Sequence, residues 1–191
     1  MTSGLVLRKN FRGKPVAEPS VPRRVFLLRH AKSSWDSEGD DHDRDLAPRG
    51  RQAADRMAAY LQAENIAPAL VLCSTARRAR ETLARVVPAL HGTGRIEFEE
   101  GLYLASGGAM LRRLRRLDDD VASVMLVGHN PGMQELALLL GEHGDEDMLR
   151  RLRSKYPTGG LAEIAVNCRH WRDLGAEQGT LVRFVVPRDL S

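Results

Sequence analysis

From about residue 23 the chain alternates short apolar runs rich in Val and Leu with longer stretches of helical periodicity. The first run, Arg24-Val25-Phe26-Leu27-Leu28, is predicted to be a strand, and Arg29-His30 follows it at once. Leu46 to Leu61 carries Pro48, Gly50 and then an Ala-rich amphipathic run, so a helix is predicted to begin near Pro48. Leu70-Val71-Leu72-Cys73 forms a second strand, and Ser74 is placed to cap a helix from about Thr75 to Leu90. A short strand over 95–99 and a helix over 109–117 come next, with Leu111, Leu114 and Leu117 inward and the intervening arginines on a solvated face. Val121 to Val127 is the third strong strand, leading through Gly128-His129-Asn130-Pro131-Gly132 into a helix that ends near Leu140. Strands over 161–166 and 180–186 flank Trp171 and close the chain. Strands alternating with helices predict an α/β fold with a mainly parallel open sheet flanked by helices. Ligands of such sheets sit outside the carboxyl ends of the strands.

Length and composition narrow this picture. A chain of 191 residues, 42% hydrophobic and 28% charged, can bury a real core and matches one domain. Residues 1–22 mix Arg, Lys, Gly, Pro and Ser without either structural period, so they read as an N-terminal extension before a domain over 23–191. No run of 18 apolar residues and no secretory-signal pattern occurs, and the expectation is a soluble cytoplasmic protein away from membranes. The two cysteines, Cys73 and Cys168, lie far apart and outside any metal-binding spacing, which predicts buried thiols. His42, His91, His143 and His170 stand in polar contexts, and neither a metal nor a cofactor is expected. The net charge of +4 and a pI near 9.4 fit an anionic partner of some kind without saying which.

The chemistry concentrates at strand ends. Arg29-His30 follows the first strand, Ser74 and Arg78 follow the second, and Gly128-His129 follows the third, so the topology should gather two arginines and two histidines at one rim. That grouping is costly unless an anion occupies it. A phosphoryl group in transfer spreads charge over its equatorial oxygens, and the planar fork of arginine matches them, which makes Arg29 and Arg78 the candidates for that contact. A neutral imidazole can attack phosphorus and be dephosphorylated by water, dividing one hard step into two; His30 is the candidate nucleophile. His129 is a candidate hydrogen-bond donor to the same group. Ser74, Arg78 and Thr82 recur every four residues and would share one helix stripe, whereas Arg77 and Arg80 point elsewhere. Ser33 and Lys32 could also reach phosphate oxygens, and Trp35 could wall the pocket.

Three ordered segments, Arg29-His30-Ala31-Lys32-Ser33-Ser34-Trp35, Ser74-x-x-x-Arg78-Ala79-x-x-Thr82 and Val127-Gly128-His129-Asn130-Pro131-Gly132, together resemble the histidine phosphatase superfamily, also called phosphoglycerate-mutase-like. Arg-His-Ala-Lys-Ser and Gly-His-Asn-Pro are most similar to its SixA phosphohistidine phosphatases. The resemblance extends to Asp43-Arg44-x-Leu46-x-x-Arg49-Gly50, Leu102-Tyr103, Tyr156-Pro157-Thr158-Gly159 and Phe184-Val185-Val186-Pro187-Arg188, and so covers roughly 23–190. It implies a three-layer α/β/α fold, His30 as the phosphorylated nucleophile, and Arg29, Arg78 and His129 as the phosphate pocket, with inorganic phosphate as product.

Hydrolysis of a phosphate ester needs an acid for the leaving oxygen. Glu99, Glu100 and Asp36 are the candidates, and Asp43 is a further one unless it forms an ion pair with Arg44. A phosphohistidine substrate relaxes this need, because its leaving imidazole can already carry a proton on the other ring nitrogen. The leading expectation is a phosphatase acting on phosphohistidine in a protein. A phosphomonoesterase of small phosphorylated metabolites and a basic, non-enzymatic polyanion-binding module are the alternatives, and nucleic acid is not the expected partner.

Overall fold

The computed structural model describes residues 22–35, 40–92 and 94–190. The expected N-terminal extension falls almost wholly outside the described residues, as does Asp36.

Strand alternation divides the apolar residues between two faces. In β1 (Arg23–Arg29), Val25 and Leu27 belong to one core and Phe26 and Leu28 to the other, and all four are buried. β2 (Leu70–Ser74) repeats the split with Leu70 and Leu72 on the first side and Val71 and Cys73 on the second. β4 (Ser123–Gly128) does the same with Val124 and Leu126 against Met125 and Val127. Strands that bury both faces must be covered twice, and the helices supply two layers. α1 (Pro48–Ala63) and α2 (Arg77–Val86) cover the second core through Met57, Leu61, Ala79, Leu83 and Val86. α3 (Gly107–Leu114) and α4 (Gly132–Leu140) cover the first core, joined by α5 (Glu146–Ser154).

The remaining strands are β3 (Arg95–Glu99), β5 (Gly141–Gly144), β6 (Leu161–Val166) and β7 (Gly179–Val185). Among the described residues the sheet has seven strands in the order β3-β2-β4-β1-β6-β7-β5. Pairings β2–β3, β2–β4, β1–β4 and β5–β7 are parallel, while β6 runs antiparallel to both β1 and β7. The sheet is therefore mixed and mainly parallel. Both cysteines are buried free thiols. Among the described residues no helix is long and apolar enough to cross a membrane.

Several local expectations need correction. Ser74 does not cap α2: it ends β2, the helix begins at Arg77 after Ala76, and Ser74 Oγ instead accepts from the Ala76 N–H at 3.3 Å. The predicted helix over 75–90 is shorter, because its last part is a 3-10 turn at Val87–Ala89 that contains Pro88. β5 and α5 are additional elements. β5 is Gly-Glu-His-Gly with only its first residue buried, so no apolar pattern announces it; it exists by pairing with β7. α5 is capped by Asp145, whose side chain accepts from the backbones of Asp147 and Met148 at 3.0 Å, and it buries Leu149 and Leu152.

One close approach ties the first helix to the segment after β1. A Cβ on Gly50 would lie 2.0 Å from the Lys32 carbonyl oxygen, so only glycine lets the start of α1 sit there. The same contact line is held by hydrogen bonds from Ala47 N to Lys32 O at 2.9 Å and from Ser34 N to Asp45 O at 2.9 Å. Gly50→Ala is expected to lower stability by about 2 kcal/mol, the usual scale of overpacking in a rigid site. A urea titration that leaves the midpoint unmoved would contradict this.

Candidate active site

Parallel register brings the three strand ends level. Arg29 of β1 lies opposite Gly128 of β4, Val127 lies opposite Cys73 of β2, and the His30 backbone donates to Gly128 O at 3.0 Å. His30 and His129 therefore leave adjacent strands at the same height, and their ring centroids are 5.0 Å apart.

His30 is buried and its orientation is fixed by one contact. Its Nδ1 lies 2.7 Å from the Ala31 carbonyl, which can only accept, so Nδ1 carries the hydrogen and Nε2 keeps a lone pair. The turn that follows is pinned by Thr82, whose Oγ1 accepts from Ala31 N at 2.9 Å and donates to Arg78 O at 2.7 Å. Thus the stripe expected from Ser74, Arg78 and Thr82 exists from Arg78 onward, and Thr82 serves the loop rather than a ligand. Arg29 Nη1 donates to Tyr156 O at 2.5 Å, and the Gly159 N–H reaches the carbonyls of Arg29 and His30 at 3.1 and 3.0 Å. Gly159 has φ +75°, which the turn needs and a larger residue resists. This accounts for the Tyr156-Pro157-Thr158-Gly159 segment. Among the described residues, Arg29 Nε is buried without a hydrogen-bond partner.

His129 is almost fully buried, and its Nε2 is 2.8 Å from Ser74 Oγ. Because that oxygen already accepts from Ala76 N–H, its own hydrogen can go to His129 Nε2, and this tautomer leaves the hydrogen on Nδ1. Nδ1 is buried and unpartnered among the described residues. Arg78 is buried at the same rim, with its guanidinium on Asp41: Nη2 meets the carboxylate at 2.9 Å and Nη1 meets the Asp41 carbonyl. Ser33, also buried, accepts from Arg44 Nη2 at 3.0 Å. Lys32 and Arg44 lie over the exposed Trp35 ring, at 5.8 and 3.7 Å from its centroid. Arg77 pairs with Glu81 at 2.7 Å and Arg80 is exposed over Phe98, so both stand apart from the site.

Asp41 and His42 were not singled out as site residues in the sequence, and Tyr103 entered only within the Leu102-Tyr103 segment of the resemblance. Asp41 binds Arg78, Arg44 at 2.8 Å and the Tyr103 hydroxyl at 2.7 Å. Tyr103 sets its ring edge-on to His129 with centroids 5.4 Å apart, and His42 packs on Tyr103 at 4.9 Å while its Nε2 meets Thr75 Oγ1 at 3.0 Å. His42 is accordingly half-buried beside the site. Asp41, two positions before the expected partner Asp43, makes the ion pair with Arg44. The only available signal was the density of acidic residues before Arg44. Glu99 ends β3 level with Ser74, but both of its oxygens accept from Arg113 Nε, at 2.9 and 3.0 Å. Glu100 is exposed on the 3-10 turn Glu100–Leu102.

Burial and positive neighbours set the protonation states. Desolvation, and then His129, Arg78 and Arg29, push His30 down to about 3. Desolvation and Arg78 push His129 down to about 4. Both imidazoles are therefore neutral near neutral pH. Asp41 is held at about 2, first by the Tyr103 hydroxyl and then by Arg44 and Arg78, and stays ionised. Among the described residues no group of His, Cys, Asp and Glu is arranged to hold a metal ion.

Residues 25–110 match the model of the histidine phosphatase superfamily, branch 1. An uncharacterized protein of Mycobacterium tuberculosis is 39% identical over 166 residues, which cover 84% of this chain and all of that one. The crystal structure of the putative phosphohistidine phosphatase SixA from Agrobacterium tumefaciens is 35% identical with a TM-score of 0.72, covering 88% of this chain and all of that one. A protein histidine phosphatase SixA solved in complex with tungstate is 24% identical, has a TM-score of 0.71 over 88% of this chain and 99% of its own, and shares the fold. Convergent strand ends, buried imidazoles and these similarities define the class: the chain belongs to the histidine phosphatase superfamily, in its SixA-type branch. It is a phosphatase, a hydrolase that takes phosphorylated substrates.

Histidines held below their ordinary value of about 6.5 bind protons in the unfolded chain before they do so in the folded one. Their contribution to stability is complete above about pH 6.5 and declines as the pH falls toward 4, by on the order of 1 kcal/mol per pH unit for each histidine. Urea midpoints measured at pH 7 and pH 5 should differ in the wild type, and the difference should shrink when His30→Asn and His129→Asn are combined.

Proposed function

We propose that the protein dephosphorylates phosphohistidine in a phosphorylated protein through a phosphoenzyme on His30. The observation that carries this reading is the free Nε2 of His30 beside the His129 ring, 5.0 Å away between centroids, with Arg29 Nε and His129 Nδ1 buried and without hydrogen-bond partners among the described residues. In the first step Nε2 attacks phosphorus and the P–N bond to the substrate imidazole breaks. The bonding electrons leave on that nitrogen, and a proton on the other ring nitrogen keeps the leaving imidazole neutral. Water then attacks phosphorus, the P–N bond to His30 breaks, and inorganic phosphate is released. Arg29, Arg78, His129 and the hydroxyl of Ser33 hold the phosphoryl oxygens, supplying fixed donors where charge develops. Neither a metal nor a cofactor enters these steps.

The absence of a ready acid among the described carboxylates favours the phosphoramidate over an ester. Glu99 is committed to Arg113, and Asp41 is kept ionised well below neutral pH. Glu100, on its exposed turn, and Asp43, which is not the partner of Arg44 and lies 3.5 Å from His42 Nδ1, are the remaining described candidates for an acid, and Asp36 lies outside the described residues. A phosphatase of small phosphorylated metabolites would need one of them to act. The expected outcome is turnover of a phosphohistidine peptide well above that of a panel of sugar phosphates. His30→Ala should abolish both this activity and trapping of a phosphoenzyme while leaving the urea midpoint near that of wild type at pH 7. No turnover of the peptide would overturn the substrate assignment.

Asp41 and a bound oxyanion carry like charge and share Arg78. Tungstate, a phosphate-like oxyanion, should therefore bind about tenfold more tightly to Asp41→Asn, a gain of about 1.4 kcal/mol, as read by titration calorimetry. Weaker binding would mean that Asp41 positions Arg78 rather than competing for it.

A further inference from the structure

A second basic feature lies beside the pocket and has no part in the chemistry above. A cavity of about 410 Å³ is lined by Lys32, Arg49, Arg56, Lys155 and Arg188, with Ala53, Pro157, Val186 and Pro187 as an apolar floor. It adjoins a second cavity of about 430 Å³ through the shared residues Lys155, Pro157, Val186 and Arg188, and this one adds Arg150 and Arg151. No acidic residue lines either cavity. Arg150 and Arg151 are paired with Asp147 and Asp189, and Arg188 lies 3.5 Å from Asp189. Lys32, Arg49, Arg56 and Lys155 have no carboxylate partner among the described residues. Four of the seven cations that line the two cavities thus lack a carboxylate partner among the described residues, and together they focus a positive potential into one trough.

We propose that this trough docks an acidic, extended segment of the phosphoprotein substrate, a proposal that rests on the protein-substrate reading given above. Its position supports this. Pro157 and Thr158, on its wall, belong to the turn whose neighbours Tyr156 and Gly159 bond directly to Arg29 and His30. Lys32, two residues after His30, lines it as well, so the trough adjoins the segment that carries His30. The character of the cations distinguishes the occupant. Arg29 and Arg78 are held in fixed geometry, as one phosphoryl group requires. Arg49, Arg56, Lys155 and Arg188 are exposed on long side chains around a Pro- and Val-lined floor. Spread, adaptable charges over an apolar floor suit several carboxylates along a backbone better than one compact polyphosphate. The aromatic residue of the trough, Phe184, is 4% exposed and packed edge-on against Tyr156, so it offers bases no stacking platform.

The test uses the full chain and the combined variant Arg49→Glu, Arg56→Glu and Lys155→Glu. Lys155→Glu alone serves as a second variant, because Arg56 Nε also donates to Pro187 O at 3.2 Å and the triple change could unsettle the fold. A fluorescein-labelled Asp/Glu-rich peptide without phosphate should bind wild type in a salt-dependent manner. The triple variant should bind it at least tenfold more weakly and Lys155→Glu about threefold more weakly, while tungstate affinity at the nucleophile stays as in wild type. With a phosphohistidine peptide flanked by acidic residues, the loss should appear in KM and leave kcat unchanged. Absence of peptide binding by wild type, equal binding by the variants, or tighter binding of inorganic triphosphate or single-stranded DNA than of the peptide would each overturn the docking proposal. Failure of wild type to turn over any phosphohistidine peptide would instead overturn the substrate reading, and the binding arm would still decide whether the trough takes acidic chain.

Discussion

The register between β1 and β4 is the constraint on which the site depends. Pairing Arg29 with Gly128 sets His30 and His129 at one height, and the pairing of Val127 with Cys73 brings Ser74 to the same level. Side-chain direction alternates along a strand, so a slip of one residue would turn both core faces inside out as well as misplace the histidines. The apolar residues that fill the two cores therefore also hold the register of the polar residues at the strand ends. Stability and placement have a single cause here.

Around that register the loops act as secondary fixtures. Thr82 holds the turn after His30, Gly50 lets α1 lie against Lys32, and the Gly159 turn closes on the carbonyls of Arg29 and His30. Each contact engages backbone rather than a side-chain tip, which leaves the functional atoms free. The electrostatic balance follows from the same packing. Burial first, and then the positive charge of Arg78 and Arg29, keeps the two imidazoles neutral, and Asp41 supplies a carboxylate to Arg78. Neutral His30 is the form that the proposed attack on phosphorus requires, so burial that would be a liability for an ion suits that proposed role.

Much of this was legible from residue patterns. The strands β1, β2 and β4 announced themselves as apolar runs, and the polar residues just beyond them were candidates because open α/β sheets gather ligands at strand carboxyl ends. Ser74 was assigned to the right place and the wrong partner: a serine before a helical run commonly caps it, but here tertiary proximity gave its hydroxyl to His129. β5 was invisible because Gly-Glu-His-Gly carries no alternation and depends on pairing with β7. Asp41 and His42 were missed, and Tyr103 was noted only within a segment of the resemblance without a place in the site, because nothing in their local spacing links positions 41 and 103 to a histidine at 129.

The sequence by itself determined the alternation of elements and the two-sided burial of the central strands, and it nominated His30, Arg29, Arg78 and His129, since these follow from local periodicity, from positions next to strand ends and, for Arg78, from its four-residue spacing after Ser74. Tertiary structure alone decided the hydrogen-bond partners: Asp41 on Arg78, Glu99 on Arg113, Ser74 on His129, and the meeting of Lys32, Arg49, Lys155 and Arg188 in one trough. The physical reason is range. Backbone propensity and hydrophobic period act over a few residues, whereas an ion pair or a hydroxyl contact depends on which distant segment the packed sheet delivers within 3 Å or so.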